Sequence, residues 1–436
     1  MTDLILTPAK LSGAVTVPPS KSMAHRAVIC AALSEGKSLL TNIEYSDDII
    51  ATIEAMRSLG ASFNRKEAGL EVAGIDWEAE TVNELEKDQS RTIDCNESGS
   101  TLRFLIPIAT LFEGDTRFIG RGNLGTRPLE PYYQIFDRQG IAYTKQANQL
   151  HLTINGDLQP DLFELRGDVS SQFISGLLFA LPLLKNDSKI VITTELESKG
   201  YIDLTLSMMQ TFGIEVLNND YRELIIKGNQ RYQKQEYRIE GDYSQAAFFL
   251  CADALANQVV VQDLKPHSLQ GDREIIAILE RMGVEILSTP HALEGKPTGR
   301  LKAALIDGSQ CPDIIPVVSL VAALSEGTTE IINAGRLRIK ECDRLKAVTS
   351  ELSKLGAVIF ETADGLIIEG VEQLVGGVEV WSHKDHRIAM MLAIAATVCQ
   401  EPIVLKDAEC VSKSYPHFWE DYTMLGGNSH ERCLGK

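Results

Sequence analysis

The chain repeats itself. A leucine- or methionine-rich helix ending in glycine, followed by two short strands, recurs along its length. The glycines are Gly60, Gly140, Gly213, Gly283, Gly356 and Gly426, so successive copies lie 80, 73, 70, 73 and 70 residues apart. Copies read "MRSLGASFNRKEAGLEVAG", "MQTFGIEVLNNDYRELIIKG" and "LSKLGAVIFETADGLIIEG". A recurring period restricts the fold to multiples of one supersecondary element. Each glycine stands where a helix C-terminus takes a residue of positive φ.

A second set of helices opens each copy, starting near Ser20, Gly99, Ser170, Tyr243, Pro312 and Lys384. Bodies such as "FISGLLFALPLL", "AAFFLCADAL" and "IAMMLAIAATVC" are apolar on all sides, and such helices are buried. Each precedes a strand such as "KIVITT" or "QVVVQDL". One repeat therefore reads helix, strand, helix, strand, strand, and there are six. The sixth lacks closing strands, which the N-terminal "LILTPAKLSGAVTV" is expected to supply. The polar stretch "GNQRYQKQEY", 228–237, is the expected linker between repeats three and four. Two domains of three repeats each follow: residues 17–234, and residues 1–16 with 235–436.

Bulk properties exclude several classes. The 436 residues carry net charge -18, which argues against nucleic acid as a partner. The apolar run Ile388 to Cys399 is shorter than the roughly 20 residues that span a bilayer, and "MTDLILTPAK" lacks the regions of a signal peptide. Eight scattered cysteines with no C-x-x-C pair fit free thiols in a reducing cytoplasm.

The cations of this acidic chain gather at the buried-helix starts, which read "SKSMAHR", "ESGSTLR", "VSSQF", "DYSQ", "CPD" and "KDHR". Lys21, Arg26, Arg103 and Arg387 lie there. Arg127, Lys199, Arg336, Lys340, Arg344 and Lys413 lie in connections within repeats. Helix N-termini favour anions and disfavour cations, unless the site itself holds an anion. Singly, each residue reads as a solvated charge; together they read as a site for a small, multiply charged anion. Two acids stand among them. Asp313 opens the fifth buried helix, and Glu341 sits in "RIKECDR". They suit general acid and base work, although Asp313 also reads as an ordinary helix-start acid and Glu341 as an i,i+3 partner of Arg344. "GRGNLG", 120–125, matches a dinucleotide motif by chance, since prolines follow it and no sister repeat has it. No P-loop is present, His383 and His386 have no third metal ligand, and Cys342 has no histidine partner in sequence.

The motifs "PPSKSMAHRA", "LGTRPL", "SSQF", "SKGYID", "IKECDRL", "KDHRIAM" and "VSKSYP" together resemble the 5-enolpyruvylshikimate-3-phosphate synthase family, in order and from end to end. The resemblance implies two similar α/β domains, each of three βαβαββ-type units with buried helices, an inside-out α/β barrel, with the active site in the cleft between them. It implies transfer of the enolpyruvyl group of phosphoenolpyruvate to the 5-hydroxyl of shikimate 3-phosphate, inhibition by glyphosate, and no metal or redox cofactor. By matching positions, Lys21, Ser22, Arg26, Ser170, Ser171, Gln172, Ser198, Tyr201, Asp313, Arg336 and Lys340 face shikimate 3-phosphate. Lys21, Gly99, Arg127, Gln172, Lys340, Arg344, Arg387 and Lys413 face phosphoenolpyruvate, with Arg103 nearby. Asp313, Glu341 and Lys21 move protons. Glu97, Arg336 and Cys342 depart from the family pattern. The fold and donor are shared with UDP-N-acetylglucosamine enolpyruvyl transferase, whose hallmark is a cysteine before the R-P dipeptide; the loop here, "RGNLGTRPL", has none. A non-catalytic binder of small anions is the alternative from another class. The expected partners are the two substrates alone, with no nucleic acid or membrane, and the chain is expected to act as a cytoplasmic monomer.

Overall fold

The computed structural model describes residues 3–77, 90–146, 149–290 and 292–432. The chain divides into two compact units: Pro19–Ile239, and Met1–Pro18 with Glu240–Lys436. Three four-stranded sheets belong to each unit, and each unit has its own hydrophobic core.

All six sheets pair alike. In one, Arg91–Asp94 runs parallel to Thr116–Ile119, with the helix Gly99–Ala109 as the crossover. Thr116–Ile119 then pairs antiparallel with His151–Asn155, which pairs antiparallel with Ala142–Lys145. A parallel pair needs such a crossover, whereas the antiparallel pair needs only a tight turn.

Two helices per repeat divide the labour. In the inner set, Tyr243–Ala254 and Ile315–Ala323 are buried at every residue. Each fully buried Leu, Ile or Phe there contributes about 1.5–3 kcal/mol. The other set lies at the surface and is amphipathic; Glu130–Gln139 buries only Tyr132, Ile135 and Phe136. The six repeat glycines end or follow these surface helices with φ between 71° and 106°. At Gly140 (φ 71°) the left-handed turn lets its own N–H reach the Phe136 carbonyl.

Two sequence expectations are corrected. The sixth repeat is not without closing strands. Asn428–Glu431 is one of them, and Leu4–Thr7 lies between it and Ile403–Lys406. Ser12–Thr16 goes elsewhere, pairing parallel with Gln258–Gln262 of the fourth repeat. The expected linker is not all linker either. Glu236–Arg238 pairs parallel with Lys37–Thr41 of the first repeat, so the chain stays with the Pro19–Ile239 unit through that strand. Both strands lie far in sequence from most of their sheet, and a three-residue strand shows no alternation to read.

One helix irregularity bears on the site. Pro107 lies within Gly99–Ala109 and has no N–H to give the carbonyl four residues back. That carbonyl, of Arg103, instead accepts from the Tyr132 hydroxyl at 2.6 Å. Gly176 makes room, since a Cβ there would lie 2.3 Å from both the Arg103 oxygen and the Tyr132 hydroxyl.

Candidate active site

None of the six inner helices has an acid in its first turn. Side-chain caps at five of them (Ser20, Ser98, Ser170, Asp242 and Asp385) take only one or two N–H groups each, so the remaining N–H groups and the partial positive charge suit an anion.

In the Pro19–Ile239 unit, Ser20 caps Lys21–Leu33, accepting from the Met23 N–H at 3.5 Å. Lys21 Nζ lies 2.8 Å from Asp48. Arg26 is 2% exposed and committed to its own unit. It donates to Thr205 Oγ1 (2.8 Å), the Ser22 carbonyl (2.6 Å) and the Tyr201 carbonyl (2.9 Å), and lies 5.2 Å from the Phe104 ring centroid. Burial lowers its pKa to about 10, so it stays cationic at neutral pH while it ties Ser22 to Tyr201. Ser198 is buried in a left-handed conformation (φ 55°) directly before the helix Lys199–Thr211, which carries Tyr201.

Further cations of this unit meet at Gly99. Ser98 caps Gly99–Ala109, and a Cβ on Gly99 would lie 2.7 Å from Arg127 Nη1, 3.4 Å from Arg103 Nη1 and 3.7 Å from Gln172 Oε1. Glycine is what lets these groups approach the helix start. Arg103 donates to Gln172 Oε1 at 2.7 Å, and Gln172 Nε2 donates to Ser100 Oγ at 3.0 Å. Ser170 caps Ser171–Ala180 through the Gln172 N–H. "GRGNLG" forms a 3-10 turn, Gly122–Thr126, leading straight into Arg127.

The other unit holds a denser cluster. Arg344, 1% exposed, donates from Nε to Asp385 (2.7 Å), from Nη1 to Asp313 (2.9 Å) and from Nη2 to Glu341 (2.8 Å). Lys340 Nζ is 3.5 Å from Asp313, Arg387 Nη2 is 3.4 Å from Asp313, and Lys413 Nζ is 3.9 Å from Glu341. Arg387 also donates to Ser244 Oγ at 3.0 Å. Arg336 donates to the Ser309 carbonyl at 2.9 Å. Burial works to raise the Asp313 pKa, but Arg387, Lys340 and Arg344 outweigh it and hold the carboxyl well below the usual range. Burial lowers the Lys340 ammonium. Asp272 is driven the other way, to about 7, by burial and then by the Asp313 charge.

Asp313 does not cap the fifth inner helix as the sequence suggests. That helix runs Ile315–Ala323 and has no side-chain cap; Asp313, in the turn before it, faces the cations. Glu341 does make the i,i+3 pair with Arg344, and it also shares that arginine with Asp313. The sequence reading missed the acids that hold the cations: Asp48 under Lys21, and Asp385 under Arg344. Asp385 caps His386–Ala396, and its place in "KDHR" directly before an apolar run was a readable cap signal.

Chemically, four cations surround two carboxylates that share one arginine, which suits holding an anion while moving a proton beside it. The family model for EPSP synthase (3-phosphoshikimate 1-carboxyvinyltransferase) matches residues 5–422. The chain belongs to the EPSP synthase family. It is 65% identical over 436 residues to the 3-phosphoshikimate 1-carboxyvinyltransferase of Clostridium beijerinckii, covering 100% of both chains. With that of Clostridioides difficile it shares 63% identity over 438 residues, again 100% of each. Among solved structures, the EPSP synthase of Acinetobacter baumannii superposes with TM-score 0.79 at 24% identity, covering 99% of this chain and 100% of that one. The enolpyruvyl transferase NikO of Streptomyces tendae gives TM-score 0.78 at 16% identity, covering 99% and 98%. These two show the fold of the EPSP synthase family member described here: mixed α/β, built from several small sheets. Among the described residues, no helix is long and apolar enough to cross a membrane.

Proposed function

We propose that the chain transfers the enolpyruvyl group of phosphoenolpyruvate to the 5-hydroxyl of shikimate 3-phosphate and releases phosphate. The observation that carries this reading is the pair Asp313 and Glu341 held on one buried arginine, Arg344, among Lys340, Arg387 and Lys413. In this reading Arg344, Arg387, Lys413 and Lys340 hold phosphoenolpyruvate, joined by Lys21, Gly99, Arg127 and Gln172 of the other unit. Lys21, Ser22, Ser170, Ser171, Gln172, Ser198 and Tyr201 hold shikimate 3-phosphate, with Arg26 behind them and with Arg336 and Lys340. Each domain is an inside-out arrangement of three repeats. The protein works in the cytoplasm as a monomer whose partners are its two substrates.

The 5-hydroxyl oxygen bonds to C2 of phosphoenolpyruvate, Asp313 takes the hydroxyl proton, and C3 gains a proton from Glu341 or Lys21. The tetrahedral adduct then returns a C3 proton to the group that supplied it as the C2–O bond to phosphate breaks, and the departing phosphate takes the proton held by Asp313, which restores both groups. Asp313 is held ionised by its cations in the structure. Anionic substrates that take over those cations raise its pKa toward a range where it accepts a proton, so binding itself makes the base. The absence of a cysteine in "RGNLGTRPL" favours shikimate 3-phosphate over UDP-N-acetylglucosamine as acceptor. Phosphate release from phosphoenolpyruvate, measured with each acceptor, tests this. Release only with shikimate 3-phosphate is expected; release only with the nucleotide sugar, or with neither, overturns it.

A further inference from the structure

The turn that delivers Asp385 and Arg387 is strained. His383 and Lys384 are consecutive non-glycine residues with left-handed backbones, φ 52° and 56°. Such residues persist only where their surroundings hold them. Here the hold comes from outside the turn. Glu351, on the surface helix Arg344–Lys354, is 1% exposed. One of its oxygens accepts from His383 Nε2 at 2.9 Å, and the other from the Trp381 N–H at 2.8 Å and Lys354 Nζ at 2.7 Å. The indole of Trp381 lies over the His383 ring, centroids 4.2 Å apart, and its Nε1 donates to Asp407 at 2.9 Å. Ser382 Oγ accepts from the Lys384 N–H at 3.1 Å and donates to the Asp407 carbonyl at 3.1 Å.

The same helix carries Arg344 at its first turn and Glu351 two turns later. Arg344 binds the Asp385 side chain and Glu351 binds the backbone and imidazole just before it, so one rigid element fixes both ends of the turn.

We infer that Glu351 and His383 are positioning residues for the reaction: their hydrogen bond holds the strained turn so that Asp385 orients Arg344, and Arg387 is aimed at the anion it binds. This rests on the reading of Arg387 as a phosphoenolpyruvate contact. Burial alone would raise the Glu351 pKa, yet hydrogen bonds from His383, Lys354 and the Trp381 N–H bring it to about 2, so the acceptor stays ionised across the working range.

Three variants test this: His383→Gln, which keeps a donor near the position of Nε2; His383→Asn, which tolerates a left-handed backbone but is too short to reach Glu351; and Arg387→Lys. Steady-state kinetics are read well below the melting temperature of each. Loss of a hydrogen bond to a charged group is worth on the order of tenfold. His383→Asn is expected to raise the KM for phosphoenolpyruvate about tenfold, with a smaller change in kcat and in the KM for shikimate 3-phosphate, and His383→Gln is expected to restore most of the loss. Equal KM values in His383→Asn and wild type, or equal defects in Asn and Gln, overturn the inference. Should Arg387→Lys leave the phosphoenolpyruvate KM unchanged, the functional reading beneath it fails instead.

Discussion

Replacing Asp313 by asparagine separates a scaffold role from a proton-transfer role. One Asp313 oxygen accepts from Arg344 at 2.9 Å and the other faces Arg387 at 3.4 Å. Asparagine keeps one acceptor, and its amide N–H₂ must meet the remaining donor. Arg344 retains Asp385 and Glu341, so the stability loss is held to about 1–3 kcal/mol, the cost of one mismatched buried polar contact. Turnover is expected to fall by ~10²–10⁴, the usual contribution of a positioned base, or roughly 3–5 kcal/mol of barrier. Losing a negative charge from the cation cluster should leave phosphoenolpyruvate binding as tight as before or tighter. The assay is phosphate release at saturating substrates, with a thermal melt and calorimetric binding of shikimate 3-phosphate as controls. Turnover within about threefold of wild type in a folded variant would refute the base assignment. A parallel loss of turnover and ligand binding would make Asp313 a scaffold residue.

Gly99→Ala places a Cβ 2.7 Å from Arg127 Nη1, the mobile end of a side chain, so Arg127 shifts. The KM for phosphoenolpyruvate should rise about tenfold, the worth of one charge-assisted hydrogen bond, and an unchanged KM would place Arg127 away from the substrate. Tyr132→Phe strips the Arg103 carbonyl of its hydroxyl partner and should cost about 1–3 kcal/mol in chemical denaturation. Adding Pro107→Ala restores a helix N–H for that carbonyl and should recover part of the loss; a simply additive double variant would contradict this account of the proline. Asp253 lies at the buried end of Tyr243–Ala254, accepting from the Val259 and Gly295 N–H groups, and burial raises its pKa to about 7 from an ordinary 3.8. The folded state then binds the extra proton between about pH 4 and 7, so this group's stabilisation is full below that window and lost as pH rises through it. Melting temperatures across that window should show a smaller decline in Asp253→Asn than in wild type, and identical slopes would remove Asp253 from the pH dependence.

Much of this was legible in the residues, for local reasons. A glycine after a leucine-rich run announces a left-handed helix end, and all six repeat glycines have positive φ. Helices apolar on every side can only be buried, as Tyr243–Ala254 is. What escaped was non-local. Nothing in "SGAVT" or "EYR" names the strand each pairs with, because parallel partners are chosen by the whole packed repeat. The cations at the helix starts were visible because an acidic chain has few reasons to place them there. Their buried partners were not: Asp48, Asp385 and Glu351 look like ordinary helix-start or surface-helix acids until the fold brings Lys21, Arg344 and His383 onto them.

Transfer of the enolpyruvyl group can be followed through phosphorus in solution. The protein is mixed with phosphoenolpyruvate and shikimate 3-phosphate, without added metal or nucleotide, and watched by phosphorus NMR. The phosphoenolpyruvate signal is expected to be replaced one-for-one by inorganic phosphate, while the shikimate 3-phosphate signal gives way to that of a 5-enolpyruvyl ether still carrying its phosphate. Inorganic phosphate appearing while shikimate 3-phosphate stays unchanged would contradict the proposed function, since that result is hydrolysis and not transfer.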